Sequence, residues 1–151
     1  LGVLDGDQVV YADKITAPSA SRLYSIKRTR VNAYCSSLGK CILANYSNRE
    51  LENIMKDCSF IKFTPNTISD MEQLRTELAK VRKQGWAMED EEYETGQRCI
   101  GAPVYDYKGD IVAAISASGE KHVLTDDRIN EVADYLVKKA FELSKTLGYV
   151  E

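Results

Sequence analysis

The spacing of apolar positions changes several times along the chain. "GVLDGDQVVYADKI" alternates as a β-hairpin does: Val3 and Leu4 end one strand, Asp5-Gly6 supplies the turn, and Val9 to Ile15 form the return strand. Pro18 and its small polar neighbours predict a loop, and Ser25 to Arg30, rich in basic residues, predicts an exposed edge strand. The period then lengthens. "YCSSLGKCILANYS" predicts a short helix with Ser36 or Ser37 at its start and Leu38, Ile42 and Leu43 on its apolar face. Ser47 and Glu50 form a capping box for a second helix reaching about Lys56, with Leu51, Ile54 and Met55 as its buried stripe. Ser69 and Glu72 repeat the device ahead of Met71, Leu74, Leu78 and Val81, and Gly85 ends that helix. Trp86 to Met88 predicts a strand, the acidic "EDEEYET" a turn or bulge, and Cys99 to Tyr107 a second strand, which "DYKGD" turns into a third at Ile111 to Ser118. Thr125 or Asp126 is the expected cap of a long final helix that Gly148 closes, with Ile129, Val132, Ala133, Leu136, Val137, Ala140 and Leu147 facing inward. An antiparallel sheet flanked by helices is the α+β class.

Alternation across a strand sorts the chemistry of "GQRCIGAPV". Cys99, Gly101 and Pro103 share one face, while Ile100, Ala102 and Val104 share the other and read as core. On the returning strand Ser116 and Ser118 share a face with Val112 and Ala114. A register that sets Ser116 and Ser118 beside Cys99 would make a surface of small residues, hydroxyls and a thiol, with room and donors for a ligand. The alternative is a solvated sheet face whose polar residues are already satisfied. A nucleophilic cysteine needs a base or a strong pKa depressor. The one imidazole, His122, lies beyond the end of the returning strand, and Arg98 points to the opposite face from Cys99. A redox sensor needs an exposed thiolate and often a resolving partner, which the spacing of Cys35, Cys41 and Cys58 does not suggest.

Composition narrows the function classes. A chain of 151 residues with a net charge of −3 is the size of one domain and lacks the basic excess of a nucleic-acid-gripping one. No apolar run approaches the roughly 20 residues that span a bilayer, and no signal peptide is visible. The four cysteines include no C-x-x-C pair, so reduced thiols and a cytoplasmic location are expected, and a single histidine leaves little scope for a Cys/His zinc site. No metal or cofactor is called for. The opening at Leu1, inside strand-like sequence, is expected of a domain taken from a longer protein.

The ordered set of motifs resembles the C-terminal effector-binding domain of the IclR family of bacterial transcriptional regulators. The carriers are "SSLGKCILA" from Ser36, "TPNTISD" from Thr64, "GWAMEDEEYETGQRCIGAPVYD" from Gly85, "AAISASG" from Ala113, "LTDDRI" from Leu124 and the terminal "LGY". Their order and spacing cover almost the whole chain. The resemblance implies a GAF-like fold with a ligand cavity on one face of the sheet, and a sensor of small organic acids rather than an enzyme. It also implies self-association as dimer or tetramer, no membrane partner, and contact with DNA only through an N-terminal winged helix-turn-helix domain absent from this chain. Carried over by position, the family's pocket falls on Ser37 and Leu38, whose amides would face an anion, on Cys99 as a wall, and on the hydroxyls of Ser116 and Ser118. Where the family often has aspartate ten residues before the cysteine, this chain has Glu89. A carboxylate there wants a donor, so the expected effector is a hydroxyl-bearing carboxylate, a sugar acid or 2-oxo acid, and an aromatic acid would leave Glu89 unpaired. The competing readings are a GAF-like enzyme or redox sensor using Cys99, and a dimerisation module with a vestigial pocket.

Overall fold

In the computed structural model, which describes residues 1–16 and 29–150, one antiparallel sheet organises the chain. Its strands are β1 (Gly2–Asp5), β2 (Gln8–Tyr11), β3 (Arg30–Asn32), β4 (Ala87–Asp90), β5 (Gln97–Tyr105) and β6 (Ile111–Glu120), in the spatial order β3-β2-β1-β6-β5-β4. The helices are α1 (Ser37–Leu43), α2 (Asn48–Met55), α3 (Met71–Gln84) and α4 (Ile129–Thr146), with a 3-10 turn at Ala33–Cys35 leading into α1. The hairpin at Asp5-Gly6, the β5–β6 pair and all four helices follow the sequence pattern. The return strand is shorter than expected, ending at Tyr11 rather than Ile15. Pro18 and most of the expected edge strand from Ser25 to Arg30 lie outside the described residues; β3 begins at its last residue, Arg30, and runs on to Asn32.

The sheet has a core on each face, which is why its strands carry apolar residues on both. On one side α1, α2 and α3 close over Val9, Ala87 and Ala114. On the other, Ala133, Leu136 and Ala140 of α4 pack on Ile100, Ala102, Val104 and Ala113, the face that alternation marked as core. Among the described residues no helix is long and apolar enough to cross a membrane.

Helix ends depart from expectation in two places. α3 is capped by Asp70, whose carboxylate accepts from the Gln73 amide at 2.8 Å, and not by the Ser69–Glu72 pair. The Gln73 side chain donates back to Asp70 at 2.9 Å and accepts from the Ser69 amide at 3.1 Å, so Gln73 ties the residues on both sides of the helix start. α4 begins at Ile129 with no side-chain cap, because Asp126 is drawn away by Arg98 at 2.7 Å. The Ser47–Glu50 box of α2 and the left-handed Gly85 (φ 82°) ending α3 stand where the sequence put them.

Candidate functional site

The β5–β6 register pairs Cys99 with Ser118 and Gly101 with Ser116, and the β4–β5 register pairs Glu89 with Cys99. Paired residues of an antiparallel ladder share a face. Glu89, Cys99 and Ser118 therefore form one row across three strands, and Ala87, Gly101 and Ser116 form the next. Asp90 and Arg98 point the other way. There Arg98 is buried and grips Asp90 at 2.7 Å and the Leu124 carbonyl at 2.9 Å.

The first turn of α1 is seated on the second row. A Cβ added at Gly101 would fall 2.8 Å from the Ser37 carbonyl oxygen, so only glycine lets the helix come this close to the sheet. Ser36 is the cap, accepting from the Gly39 amide at 3.0 Å. Ser37 and Leu38 are both buried. Among the described residues their amides donate to nothing, as expected of the first turn of a helix.

Glu89 is only 3 % exposed and does not belong to the solvated acidic loop. Its Oε1 accepts from the backbone amides of Glu92 at 2.7 Å and Tyr93 at 3.1 Å. This corrects the sequence expectation that Glu89 depends on a ligand for donors: the turn that follows β4 supplies two. Burial raises the Glu89 pKa, opposed by those amides, by the Cys99 thiol and by Lys40.

Among the described residues the row forms an open shelf. Ser118 is exposed, and Cys99 and Ser116 are half-buried. Two surface hollows lie elsewhere, one among Thr95, Gly96, Gln97 and the Glu120–His122 turn, the other between Ile68 and the outer side of α3. Burial, and then the charge of Glu89, push the Cys99 thiol well above its ordinary range. His122 is exposed and paired with Glu120 at 3.1 Å. The group that faces the thiol is the Glu89 carboxylate, whose charge and hydrogen bond disfavour the thiolate, so Cys99 lacks the lowered pKa that a nucleophile or a thiolate sensor needs. Among the described residues no cluster of histidine, cysteine and carboxylate side chains is fit to hold a metal.

Three residues of the site escaped the sequence reading. Tyr11 lies within electrostatic reach of Cys99, Glu89 and Tyr93, and its phenol is pushed up first by burial and then by those neighbours. Alternation from Val9 could have found it, since both face the α1 side of the sheet. Lys40 and Glu92 are both buried and form an ion pair at 2.5 Å. The signal for Lys40 was a lysine inside a helix with no other long polar side chain, "SLGKCIL". Beside them the rings of Phe63 and Tyr93, both partly exposed, are tilted together with centroids 4.9 Å apart.

Comparison with known proteins was made on sequence and on fold. Residues 1–145 match the family described as "Bacterial transcriptional regulator IclR C-terminal". The regulator XynR of Escherichia coli is 33 % identical over 149 residues, a stretch that covers 99 % of this chain and 59 % of XynR. The crystal structure of the Thermotoga maritima IclR protein superposes with a TM-score of 0.92 at 38 % identity, covering 98 % of this chain and 60 % of that one. The inducer-binding domain of a double mutant of PobR from Acinetobacter, in complex with 3-hydroxybenzoic acid, superposes with a TM-score of 0.85 at 25 % identity, covering 95 % and 85 %. The chain thus spans about three fifths of the length of XynR.

Proposed function

The chain belongs to the IclR family of bacterial transcriptional regulators, as a C-terminal effector-binding domain, and on that premise we propose that it senses a small carboxylate on the shelf formed by Glu89, Cys99, Ser116 and Ser118. Its family is one of regulators, not enzymes, and the protonated Cys99 is here a wall of the site. In this reading the free amides of Ser37 and Leu38 receive the effector's carboxylate, since the first turn of a helix offers unspent N–H groups and a partial positive charge. Ser116 and Ser118 donate to or accept from oxo and hydroxyl groups. Tyr11 closes the side toward β2. The observation that carries the reading is the single row Glu89–Cys99–Ser118, which lines up a carboxylate, a thiol and a hydroxyl beside a helix terminus.

A sugar acid or 2-oxo acid fits the two serines best. A hydroxylated aromatic acid is the second reading, favoured by the Phe63–Tyr93 pair beside Glu89 and by the acid bound to PobR. The same proposal includes a winged helix-turn-helix domain, N-terminal to this one in the full protein, that contacts DNA. It also includes self-association as dimer or tetramer, with binding shifting the balance of arrangements; an effector of equal affinity for all of them would shift nothing. A thermal-shift screen with gluconate, pyruvate, benzoate and 3-hydroxybenzoate tests the reading, because a ligand that binds only the native state raises Tm. Gluconate or pyruvate is expected to give the largest rise. A rise with 3-hydroxybenzoate alone would select the second reading, and no rise with any acid would contradict both.

A further inference from the structure

Lys40 and Glu92 make none of the effector contacts proposed above, yet they form the most deeply buried ion pair among the described residues. Lys40 has no exposed surface; its Nζ lies 2.5 Å from Oε1 of Glu92 and 3.5 Å from Oε1 of Glu77. The second oxygen of Glu92, Oε2, is buried without a hydrogen-bond partner among the described residues. Stability is a poor reason to keep such a pair. Taking both ions out of water costs much of what their attraction returns, and apolar side chains of the same volume often hold a fold as well.

Geometry gives a better reason. Glu92 is used at three points. Its side chain meets Lys40 on α1, its amide donates to Glu89, and its carbonyl accepts from the Thr67 hydroxyl at 2.6 Å. The preceding residue, Glu91, is held at φ 55°, a left-handed conformation costly for a side chain of this size, with Thr64 donating to its carbonyl at 2.5 Å. The turn that presents two amides to Glu89 is therefore strained, and is pinned to α1 through Lys40.

We propose that the Lys40–Glu92 pair is a positioning element of the effector site, clamping the turn after β4 to α1 so that Glu89 is held at a fixed place in its row with Cys99 and Ser118. This rests on the effector reading above for its purpose, and on the hydrogen bonds alone for its mechanism. With α1 seated on Gly101 and the turn tied to α1, the clamp fixes the span between the helix and Glu89, and so selects acids by length.

The test replaces the pair with apolar residues of similar volume, K40M/E92L, in the whole chain. Thermal unfolding, amide hydrogen exchange without ligand, and titration with gluconate and pyruvate are then compared with the native chain. The expected outcome is a Tm close to native, with the amides at positions 92 and 93 exchanging roughly tenfold or more faster while those of β5 keep their protection. The ratio of gluconate to pyruvate affinity is expected to shift by roughly fivefold or more. Unchanged exchange at positions 92 and 93 would overturn the clamp. So would faster exchange spread evenly over the sheet, which marks a merely structural pair. Should the double variant not fold, Glu92→Gln, which keeps the shape and removes the charge, is read by the same exchange measurement; failure of both to fold would also overturn the proposal. If the native chain binds neither acid, the sugar-acid or 2-oxo-acid reading falls, and the exchange result still decides the clamp.

Discussion

Cys99 sits at the centre of the row, and its neighbours decide its chemistry. Because burial and Glu89 both disfavour the thiolate, alkylation of Cys99 by iodoacetamide at pH 8 is expected to lag well behind that of free cysteine; reaction at the free rate would contradict the protonated wall. Cys99→Ser should keep the fold and alter effector affinity by less than about tenfold, since one weak S–H contact is exchanged for one hydroxyl, as titration of both forms would show. Glu92 makes the clearest pH prediction. Burial pushes its carboxyl up to about 6, against the pull of Lys40. A folded pKa above the unfolded value means that the native state binds the extra proton between roughly pH 4.5 and 6, so this group's contribution to stability is fully present at low pH and lost as pH rises through that window. The shift corresponds to about 2 kcal/mol. The stability of the native chain relative to Glu92→Gln should therefore fall by about that amount from pH 4.5 to 7 in urea titrations; a difference independent of pH would refute it. Little of this was legible beforehand. Alternation grouped Ser116 with Ser118 and left their register against Cys99 open, and the ion pair joins residues 52 apart in sequence, a separation on which no local period bears.

At the scale of elements, capping shows what sequence spacing resolves and where it slips. The motif S/T-x-x-E occurs at Ser47 and at Ser69, and only the first is used. At the second, Asp70 offers two carboxylate oxygens and Gln73 both a donor and an acceptor, so the neighbouring register satisfies more groups. Asp70→Ala is therefore expected to cost about 1 kcal/mol and Ser69→Ala distinctly less; the reverse order in denaturant unfolding would restore the original assignment. The start of α4 was misplaced for a different reason: Asp126 serves the buried Arg98, a tertiary demand that overrides a local cap. Gly101 ties element to site. Its replacement by alanine would drive a methyl group to 2.8 Å from the Ser37 carbonyl, lift α1 from β5 and cost about 1–3 kcal/mol. Effector binding should fall with it, and an unperturbed Gly101→Ala variant would show that α1 has room to spare.

For the molecule as a whole, the α+β class and the paired strands β5 and β6 followed from apolar runs bounded by turn signals and from the helical stripes of α3 and α4, because a sheet with a core on each face makes its strands apolar on both sides and its covering helices amphipathic. The openness of the shelf did not follow, since burial depends on which segments cover a face and not on the face's own residues. The charge of −3, with no clustered basic helix, leads us to expect that this domain alone does not bind operator DNA, and that sedimentation finds it as a dimer or larger; a specific gel shift at physiological salt would contradict the division of labour proposed for the full protein. The central claim is narrower: a small carboxylate binds against the hydroxyls of β6. Isothermal titration of the acid giving the largest thermal shift, on the native chain and on S116A/S118A, tests it most directly. Two hydrogen bonds at about 0.5–1.5 kcal/mol each predict a loss of affinity of roughly fivefold or more with an unchanged Tm. Equal affinity in the two proteins would contradict the account.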